Sequence, residues 1–266
     1  RLVDVDQARI LSTVNVYPQG ETDSVFKTNL QAGTYFIKIY PFGGTFGSYN
    51  ISNTFTPALL PNDEEPNDIP DQAVNIELNS NFTGRINYVL NGEADEADWY
   101  KITIPEEGCL KFISTSPDIN DYYIRLIDVD TNRNLSTANI YHLGDIDSVF
   151  RADLQNGTYF LKIYPFGSNH GSYSISSQFT PALFPADQEP NNSAAEAGII
   201  LPDSITTGRL NYINNDVRDS EDWYQFSISQ PGGIKITSNS PDNYDYYITL
   251  KDTDSSSNIS SANVYQ

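Results

Sequence analysis

Acidic and amide side chains recur in two short clusters along this chain of 266 residues. One cluster lies in a proline-containing segment, and the other directly precedes a Trp-Tyr pair. The first comprises Asp63, Glu65, Asn67 and Asp68, and again Asp187, Glu189, Asn191 and Asn192; the second comprises Asp95 and Asp98, and again Asp219 and Asp222. Calcium prefers oxygen ligands from carboxylates, amides and backbone carbonyls, in sets of about six to eight. The clusters therefore predict a Ca²⁺ site in each copy, formed where the two clusters meet.

The same residue types also have an explanation that needs no metal. Asp, Asn and Pro favour turns and loops, because their side chains or rings stabilise bent backbone conformations. On the other hand, several carboxylates brought together without a cation repel one another. Residue type and spacing alone leave both explanations open.

The clusters recur because the sequence repeats with a constant period. Thr83-Gly84-Arg85 returns as Thr207-Gly208-Arg209 and Asp98-Trp99-Tyr100 as Asp222-Trp223-Tyr224, so the offset is 124 residues in both cases. Such a period is too long for a solenoid repeat, which has about 20–50 residues. It is typical of a whole domain of about 100–150 residues. The sequence therefore predicts tandem domains, each with its own core.

Two proline-containing linkers, residues 55–68 and 179–192, divide the chain into three parts. Residues 1–56 are expected to be the C-terminal part of one module and residues 57–180 a complete module. Residues 181–266 are expected to be the N-terminal part of the next. Because the chain opens inside an apparent strand, we expect it to be a window of a longer polypeptide.

The complete module has the pattern of an all-β domain. Aromatic and β-branched residues alternate with polar ones in short runs, separated by Gly, Asn, Asp and Pro. The predicted strands are 82–90, 99–104, 110–114, 122–127, 135–141, 148–152, 158–164 and 172–179. Strands this short and closely spaced are typical of an antiparallel β-sandwich. Residues 70–77 are expected to form no more than a short turn.

Charge and composition argue against several classes of partner. A net charge of −20 and an isoelectric point near 4.2 do not suit nucleic acid or an anionic membrane surface, both of which attract basic proteins. No apolar run is long enough to span a bilayer, so no membrane insertion is expected of this segment. Cys109 is the only cysteine, and Gly233 occupies the equivalent position, so no intrachain disulfide is expected.

The sequence offers no repeated catalytic set. His142 and His170 correspond to Pro18 and Phe46, so neither histidine recurs. No zinc-protease spacing and no reproducible Ser-His-Asp set is found. The paired carboxylates lie in turns and linkers rather than around one cleft, which argues against a glycosidase. We therefore expect a protein that is not an enzyme.

Five motifs follow one another in the complete module: Glu-Pro-Asn-Asp at 65–68, Thr-Gly at 83–84, Asp-x-x-Asp-Trp-Tyr at 95–100, Gly-Thr-Tyr at 157–159 and Gly-Ser-Tyr at 171–173. Taken in this order, they resemble the motifs of the bacterial pre-peptidase C-terminal domain family, and they are similar to those of the collagen-binding domains of clostridial collagenases. The resemblance covers the complete module and both partial modules. It implies a jelly-roll-like sandwich in a secreted protein, with calcium bound between the N-terminal linker and the sandwich.

The resemblance also implies which residues hold the metal. The implied ligands are Glu65, Asn67, Asp68, Asp95 and Asp98, with Asp63 as a further candidate, and Glu189, Asn191, Asp219 and Asp222 in the next module, where Asp187 matches Asp63. Asn192 departs from Asp68 and removes one negative charge, so a weaker second site is expected.

These observations predict an extracellular or cell-surface structural protein. Calcium-stiffened modules would form a stalk, fibre or adhesin shaft, and like modules are expected to associate with one another, with a filament as one form of that association. The alternative is an accessory array on a secreted peptidase or other hydrolase that binds collagen, polysaccharide or another surface. Tyr122 and Tyr123, with their equivalents Tyr246 and Tyr247, are candidates for contact with such a protein or glycan ligand.

Overall fold

A computed structural model describes most of the chain. The described residues are 1–3, 9–17, 20–90, 93–118, 121–129, 132–142, 144–214, 217–241, 245–252 and 257–265. The chain divides into two compact units, Arg1–Thr180 and Pro181–Gln266. In the described part of the chain, no helix has both the length and the apolar character needed to cross a membrane.

The regular structure of the described residues consists of short strands and one 3-10 helix, Pro70–Gln72. In chain order the strands are β1 Leu2–Val3, β2 Ile10–Ser12, β3 Phe36–Ile37, β4 Val74–Asn75, β5 Asn81–Ile86, β6 Val89–Leu90, β7 Glu93–Ala94, β8 Asp98–Ile104, β9 Gly108–Thr115, β10 Tyr122–Asp128, β11 Asn134–Ile140, β12 Ile146–Leu154, β13 Gly157–Pro165, β14 Gly171–Pro181, β15 Gly198–Ile199, β16 Ile213–Asn214, β17 Val217–Arg218, β18 Tyr224–Gln225, β19 Tyr246–Lys251 and β20 Asn258–Val264.

The complete module is a sandwich of two sheets. One sheet has five strands in the order β11-β10-β13-β8-β4, and the other has four in the order β12-β9-β14-β5. All neighbouring strands whose register is described run antiparallel except β4 and β8, which are parallel. The predicted all-β, antiparallel sandwich is therefore confirmed.

Side-chain alternation explains why these strands form two layers. Along β9, Leu110 and Phe112 are fully buried, and along β10, Ile124 and Leu126 are fully buried, while the residues between them are only partly buried. These side chains belong to one hydrophobic cluster shared by both sheets. A period of two therefore places one face of each sheet in the core.

The predicted strand 82–90 is interrupted, and this interruption positions the candidate site. Strand β5 ends at Ile86, because Asn87 has a left-handed backbone with φ of 60°. Asn and Asp tolerate this conformation better than other non-glycine residues. The chain then enters the two-stranded hairpin β6–β7, which leads to Asp95 and into β8.

Several core positions of the complete module have exposed equivalents in residues 1–56 and 181–266. Leu161 is 0% exposed in the complete module, whereas its equivalent Ile37 is 53% exposed in residues 1–56. Likewise Phe112 is 0% exposed, and its equivalent Ile236 is 49% exposed in residues 181–266. The pattern agrees with a module that needs strands from both of its halves. The division at residues 56 and 180 itself stays a prediction.

Candidate metal centre

The proline-containing linker is fastened to the complete sandwich by backbone and side-chain hydrogen bonds. The Trp99 N–H donates to the carbonyl of Asn67 (2.9 Å), and the Glu96 N–H donates to Oδ1 of Asp68 (3.2 Å). The Arg85 N–H donates to Oδ1 of Asp63 (3.3 Å). The linker therefore lies against the start of β8 and the end of β5, and the two acidic clusters of the sequence are brought together.

Three carboxylates form the centre of this site. Asp63, Glu65 and Asp98 each offer an oxygen within 4.8 Å of the others, a spacing that allows them to hold one metal ion. Asn67 and Asp98 are 0% exposed and Asp95 is 8% exposed. Asp63 is half-buried and Glu65 is exposed, so among the three carboxylates the sandwich contributes the buried one and the linker the outer two.

Several oxygens of this cluster are buried without a hydrogen-bond partner. They are Oδ1 of Asn67, Oδ1 of Asp98 and both carboxylate oxygens of Asp95. The Asn67 amide nitrogen donates to Oδ2 of Asp63 (2.8 Å), which leaves its carbonyl oxygen free to bind a cation. Burying polar oxygens without partners is unfavourable, at about 1–3 kcal/mol for each group and more for a charged one. A bound cation would satisfy these oxygens together.

Two buried tyrosines hold the carboxylates on their inner side. The Tyr100 hydroxyl donates to Oδ2 of Asp63 (2.6 Å), and the Tyr173 hydroxyl donates to Oδ2 of Asp98. The two hydroxyl oxygens lie 2.5 Å apart, and since each hydroxyl has one proton, donation to the carboxylates leaves none for a bond between them. Because each tyrosine uses one oxygen of a carboxylate, it orients the other. Sequence reasoning missed both residues, although they stand in the Asp-Trp-Tyr and Gly-Ser-Tyr motifs.

A glycine makes room for this arrangement. A Cβ atom on Gly84 would lie 2.1 Å from the Tyr173 hydroxyl oxygen and 2.9 Å from Cγ of Asp63. A Cβ on Gly208 would lie 2.8 Å from the Tyr224 hydroxyl oxygen and 3.0 Å from Cγ of Asp187. The repeated Thr-Gly-Arg motif therefore has a steric role beside the carboxylates, which the sequence alone did not reveal.

Crowding and burial make these carboxylates hard to ionise. Burial, and next the charge of Asp63, raise the pKa of Glu65 to about 7. Burial, together with the charges of Glu65 and Asp63, raises the pKa of Asp95 to about 8. Burial and the charges of Asp63 and Asp95 also raise the pKa of Asp98 well above its ordinary value. Near neutral pH, the cluster therefore needs either protons or a cation.

The second copy repeats the arrangement in the unit Pro181–Gln266. Asp187, Glu189 and Asp222 each offer an oxygen within 4.8 Å of the others. Asn191 is 1% exposed, its amide nitrogen donates to Oδ2 of Asp187 (2.7 Å), and its Oδ1 has no partner. The Tyr224 hydroxyl donates to Oδ2 of Asp187 (2.5 Å). The same chemistry is thus present at both sites.

Two predicted ligands of this copy, Asp219 and Asn192, lie outside its three-carboxylate group. Burial, followed by the charges of nearby carboxylates, raises the pKa of Asp222 to about 8 and that of Asp219 to about 6. Oδ1 of Asn192 accepts a hydrogen bond from the Ser220 N–H (3.0 Å), as Asp68 does from Glu96. Asn192 and Asp68 thus fasten the linker to the turn before the Trp-Tyr strand, and neither belongs to the three-carboxylate group.

Fold and site together define a class: a β-sandwich protein with a buried carboxylate–amide cluster able to hold a metal ion. No protein-family model matches this chain, and no curated protein matches it. Several solved structures are similar to it at low identity, and they include three from bacteria. The first is a pre-peptidase C-terminal domain of a collagenase from Bacillus anthracis, with 18% identity and a TM-score of 0.32, covering 44% of this chain and 100% of that one. The second is a Yersinia pseudotuberculosis-derived mitogen, with 15% identity and a TM-score of 0.27, covering 41% of this chain and 91% of that one. The third is a glycoside hydrolase family 43 arabinoxylan arabinofuranohydrolase from Bacillus subtilis, with 12% identity and a TM-score of 0.25, covering 41% of this chain and 28% of that one. The family resemblance of the sequence stays a prediction.

Replacing Gly84 by Ala is expected to lower the free energy of unfolding of the full chain by about 1–3 kcal/mol, because the added methyl group must displace Tyr173 or Asp63. Gly47→Ala is the matched control, since a Cβ atom added at Gly47 would have nothing within 4 Å of it. Urea unfolding followed by tryptophan fluorescence measures both. If the Gly84 variant is as stable as the parent, the steric role is wrong.

In EGTA, the stability of the chain is expected to fall as the pH rises from about 5 to about 8. Glu65 and Asp95 have pKa values of about 7 and 8 in the folded chain, against ordinary values of 4.5 and 3.8. Between these values the folded chain binds more protons than the unfolded chain, so raising the pH favours unfolding. Urea titrations at several pH values measure the slope.

Asp95→Asn should flatten this pH dependence, because it removes one of the shifted groups. Asp71→Asn, on the exposed 3-10 helix, is the control and should leave the slope unchanged. A metal-free chain whose stability rises steadily across this pH range would contradict the carboxylate repulsion.

Proposed function

We propose that this chain is a non-catalytic structural array of a secreted or cell-surface protein, in which Ca²⁺ fixes each β-sandwich module to the linker before it. The observation that supports this most directly is the set of buried oxygens without hydrogen-bond partners, some from the linker and some from the sandwich. Asn67 contributes from the linker, and Asp95 and Asp98 contribute from the sandwich. Modules held in this way would form a stalk, fibre or adhesin shaft.

The donor set favours calcium over other metals. The cluster offers carboxylate and amide oxygens and contains no histidine or cysteine, which zinc and copper prefer. Magnesium usually binds one or two carboxylates and keeps several waters. A crowded group of Asp63, Glu65 and Asp98 with Asn67 beside it better suits the larger, more flexible coordination shell of calcium.

The cation would act on the junction in two ways. It would attract the linker carboxylates of Asp63 and Glu65 and the sandwich carboxylate of Asp98 to the same point. It would also remove the repulsion that these groups exert on one another when ionised. A ligand that binds only the folded state stabilises it by about 2.7 kcal/mol when its concentration is a hundred times Kd.

The remaining features agree with an extracellular array. Calcium sites of extracellular modules commonly have Kd values of about 10⁻⁴–10⁻³ M, which suits the calcium level outside cells. A constant period of 124 residues, seen in Thr83 and Thr207, would keep equivalent sites evenly spaced. Contacts between like modules that do not close into a ring would extend such an array into a filament.

Calcium titration of the full chain by calorimetry is expected to show two bound ions. Asp95→Asn combined with Asp98→Asn should reduce the number to one and remove part of the calcium-dependent rise in Tm. Terbium luminescence, excited through Tyr100 and Tyr173, should decrease in the same variant. These losses are expected because the two carboxylates face the cluster from the sandwich side.

The control is Asp71→Asn combined with Glu106→Gln, which removes the same charge from exposed positions. It should still bind two ions. A parent chain that binds no calcium at millimolar concentration would refute the proposal, and so would a site variant that binds two ions as well as the control does.

A second candidate function is binding to a surface, and the outer face of the five-stranded sheet supports it. Tyr122 is buried, whereas Tyr123 faces outward and stacks on Tyr164 with 5.1 Å between ring centroids. Arg125 and Lys162 lie directly opposite each other and over the Tyr164 ring, at 4.9 and 5.1 Å. Like charges that face each other across strands are destabilising, so an anionic ligand here would relieve their repulsion.

The same group recurs in residues 1–56. Arg1 lies 4.8 Å from the Tyr40 ring centroid and Lys38 lies 5.8 Å from it, at positions equivalent to Arg125, Lys162 and Tyr164. Repetition of an Arg and a Lys beside a Tyr ring would allow several modules to bind one extended ligand at the same time. An accessory array that binds collagen or polysaccharide would use this face.

Co-sedimentation with insoluble collagen and with an insoluble acidic polysaccharide tests this alternative. Arg125→Gln combined with Lys162→Gln is expected to weaken binding about tenfold or more, because each charge-assisted hydrogen bond contributes about 1.5–3 kcal/mol. Lys111→Gln combined with Lys235→Gln removes two charges elsewhere and should bind like the parent. A parent chain that sediments with neither material would refute surface binding by this face.

A further inference from the structure

A segment of residues 1–56 pairs with the turn that follows β5 of the complete module. Leu30 and Val89 form an isolated parallel bridge. The Gln31 N–H donates to the Val89 carbonyl (3.0 Å), and the Val89 N–H donates to the Asn29 carbonyl (2.8 Å). The two parts of the unit Arg1–Thr180 are therefore joined by backbone hydrogen bonds as well as by the linker.

Side chains reinforce this contact. Asn29 is only 5% exposed, and its amide nitrogen donates to the Asn87 carbonyl (2.7 Å). The Tyr35 hydroxyl donates to the carbonyl of Gln31 (2.7 Å) and lies within reach of that of Val89 (3.3 Å). Such a set of directed bonds around a buried amide is a specific fit rather than a loose contact.

The Thr28 hydroxyl adds a contact at the side of the turn. It hydrogen-bonds to Nε2 of His170 (2.6 Å), and the His170 ring packs edge-on against Tyr88. The contact therefore reaches from the turn to the loop before β14.

The same turn carries a candidate metal ligand at its other end. The Asn87 N–H donates to the Asp95 carbonyl (2.7 Å), and the Asp95 N–H donates to the Tyr88 carbonyl (3.0 Å). The turn is therefore closed by the residue whose two carboxylate oxygens are buried in the acidic cluster without a partner. Only one residue, Tyr88, separates Asn87 from the bridge at Val89.

The geometry of this turn is repeated in the unit Pro181–Gln266. Asn211 has φ of 69°, close to the 60° of Asn87. The Asn211 N–H donates to the Asp219 carbonyl (2.7 Å), and the Asp219 N–H donates to the Tyr212 carbonyl (2.9 Å). A left-handed asparagine closed by a cluster aspartate is thus a feature of the module.

We propose that the turn at Asn87–Val89, closed by Asp95, is a docking site for the segment 28–35 of the preceding module, and that a cation bound at Asp95 sets the shape of this site. The inference rests on the proposed calcium function and extends it. One cation would then fix a module at two points: directly through the linker, and through Asp95 and the turn to the docked segment.

Two attachment points would restrict rotation of the preceding module more than one attachment point would. A single attachment through the linker leaves the preceding module free to rotate about it. A second attachment at Val89 closes a ring of contacts that runs from residues 28–35 along the chain to Glu65, through the cation to Asp95, and back to Val89. Without the cation, Asp95 would face the charges of Glu65 and Asp63, and this repulsion would make the turn that it closes easier to open.

Amide hydrogen exchange on the full chain tests this coupling. Calcium is expected to slow exchange of the Gln31 and Val89 amides by about tenfold or more, since local opening of the junction becomes less favourable. The Lys38 amide is the internal control, because it bonds to the Arg1 carbonyl (2.9 Å) away from the turn. Its exchange should change much less.

Asn29→Ala separates docking from metal binding. It should make the Gln31 amide exchange rapidly with or without calcium, while calorimetry still shows two bound ions. Asn53→Ala, an exposed position in the same part of the chain, should behave like the parent.

The outcomes distinguish this inference from the function on which it rests. If two calcium ions bind but the Gln31 and Val89 amides exchange at unchanged rates, or slow no more than Lys38 does, the coupling is wrong and the calcium function stands. If no calcium binds, both are wrong. An unchanged calcium Kd in the Asn29 variant would also overturn the coupling, because a coupling free energy between docking and calcium binding acts in both directions.

Discussion

The arrangement of the complete module depends on the burial of several carboxylates where the linker meets the sandwich. Asp98 is fully buried, and Asp63 and Glu65 bring further negative charge to within a few ångströms of it. In water these groups would be ionised and apart. Here the linker hydrogen bonds hold them together, so the junction stores an electrostatic repulsion that a proton or a cation relieves. The repulsion at the junction therefore depends on the pH and on the concentration of cations.

At one end of the sandwich, two tyrosines and a glycine accommodate these carboxylates. Tyr100 and Tyr173 extend from the apolar core to the carboxylates, and their hydroxyls compensate for part of the lost hydration. Gly84 leaves the space that they need. The core of Phe112, Leu161 and their neighbours lies between the same two sheets, so packing of the core and positioning of the site depend on the same strands.

Much of this could be predicted from the sequence, because alternation and repetition are properties of residue order. The strands follow from apolar spacing, whereas the meeting of the two acidic clusters was expected from the number of oxygen ligands that calcium needs and from the family resemblance. The roles of Tyr173 and Gly84 could not be predicted, since tyrosine and glycine have many ordinary places in a sandwich. The left-handed backbone at Asn87 was also missed, because a strand pattern continues through it in the sequence.

The position of Asp95 links the acidic cluster to the turn that contacts residues 28–35. Its side chain belongs to the acidic cluster, while its backbone closes the turn on which residues 28–35 lie. Under the proposed coupling, a change in charge at the cluster would reach the turn through the Asp95 backbone and its two hydrogen bonds (2.7 and 3.0 Å). Insertions between β5 and β8 would separate the two roles, which gives a physical reason for the constant length of this segment in both copies, from Thr83 to Asp98 and from Thr207 to Asp222.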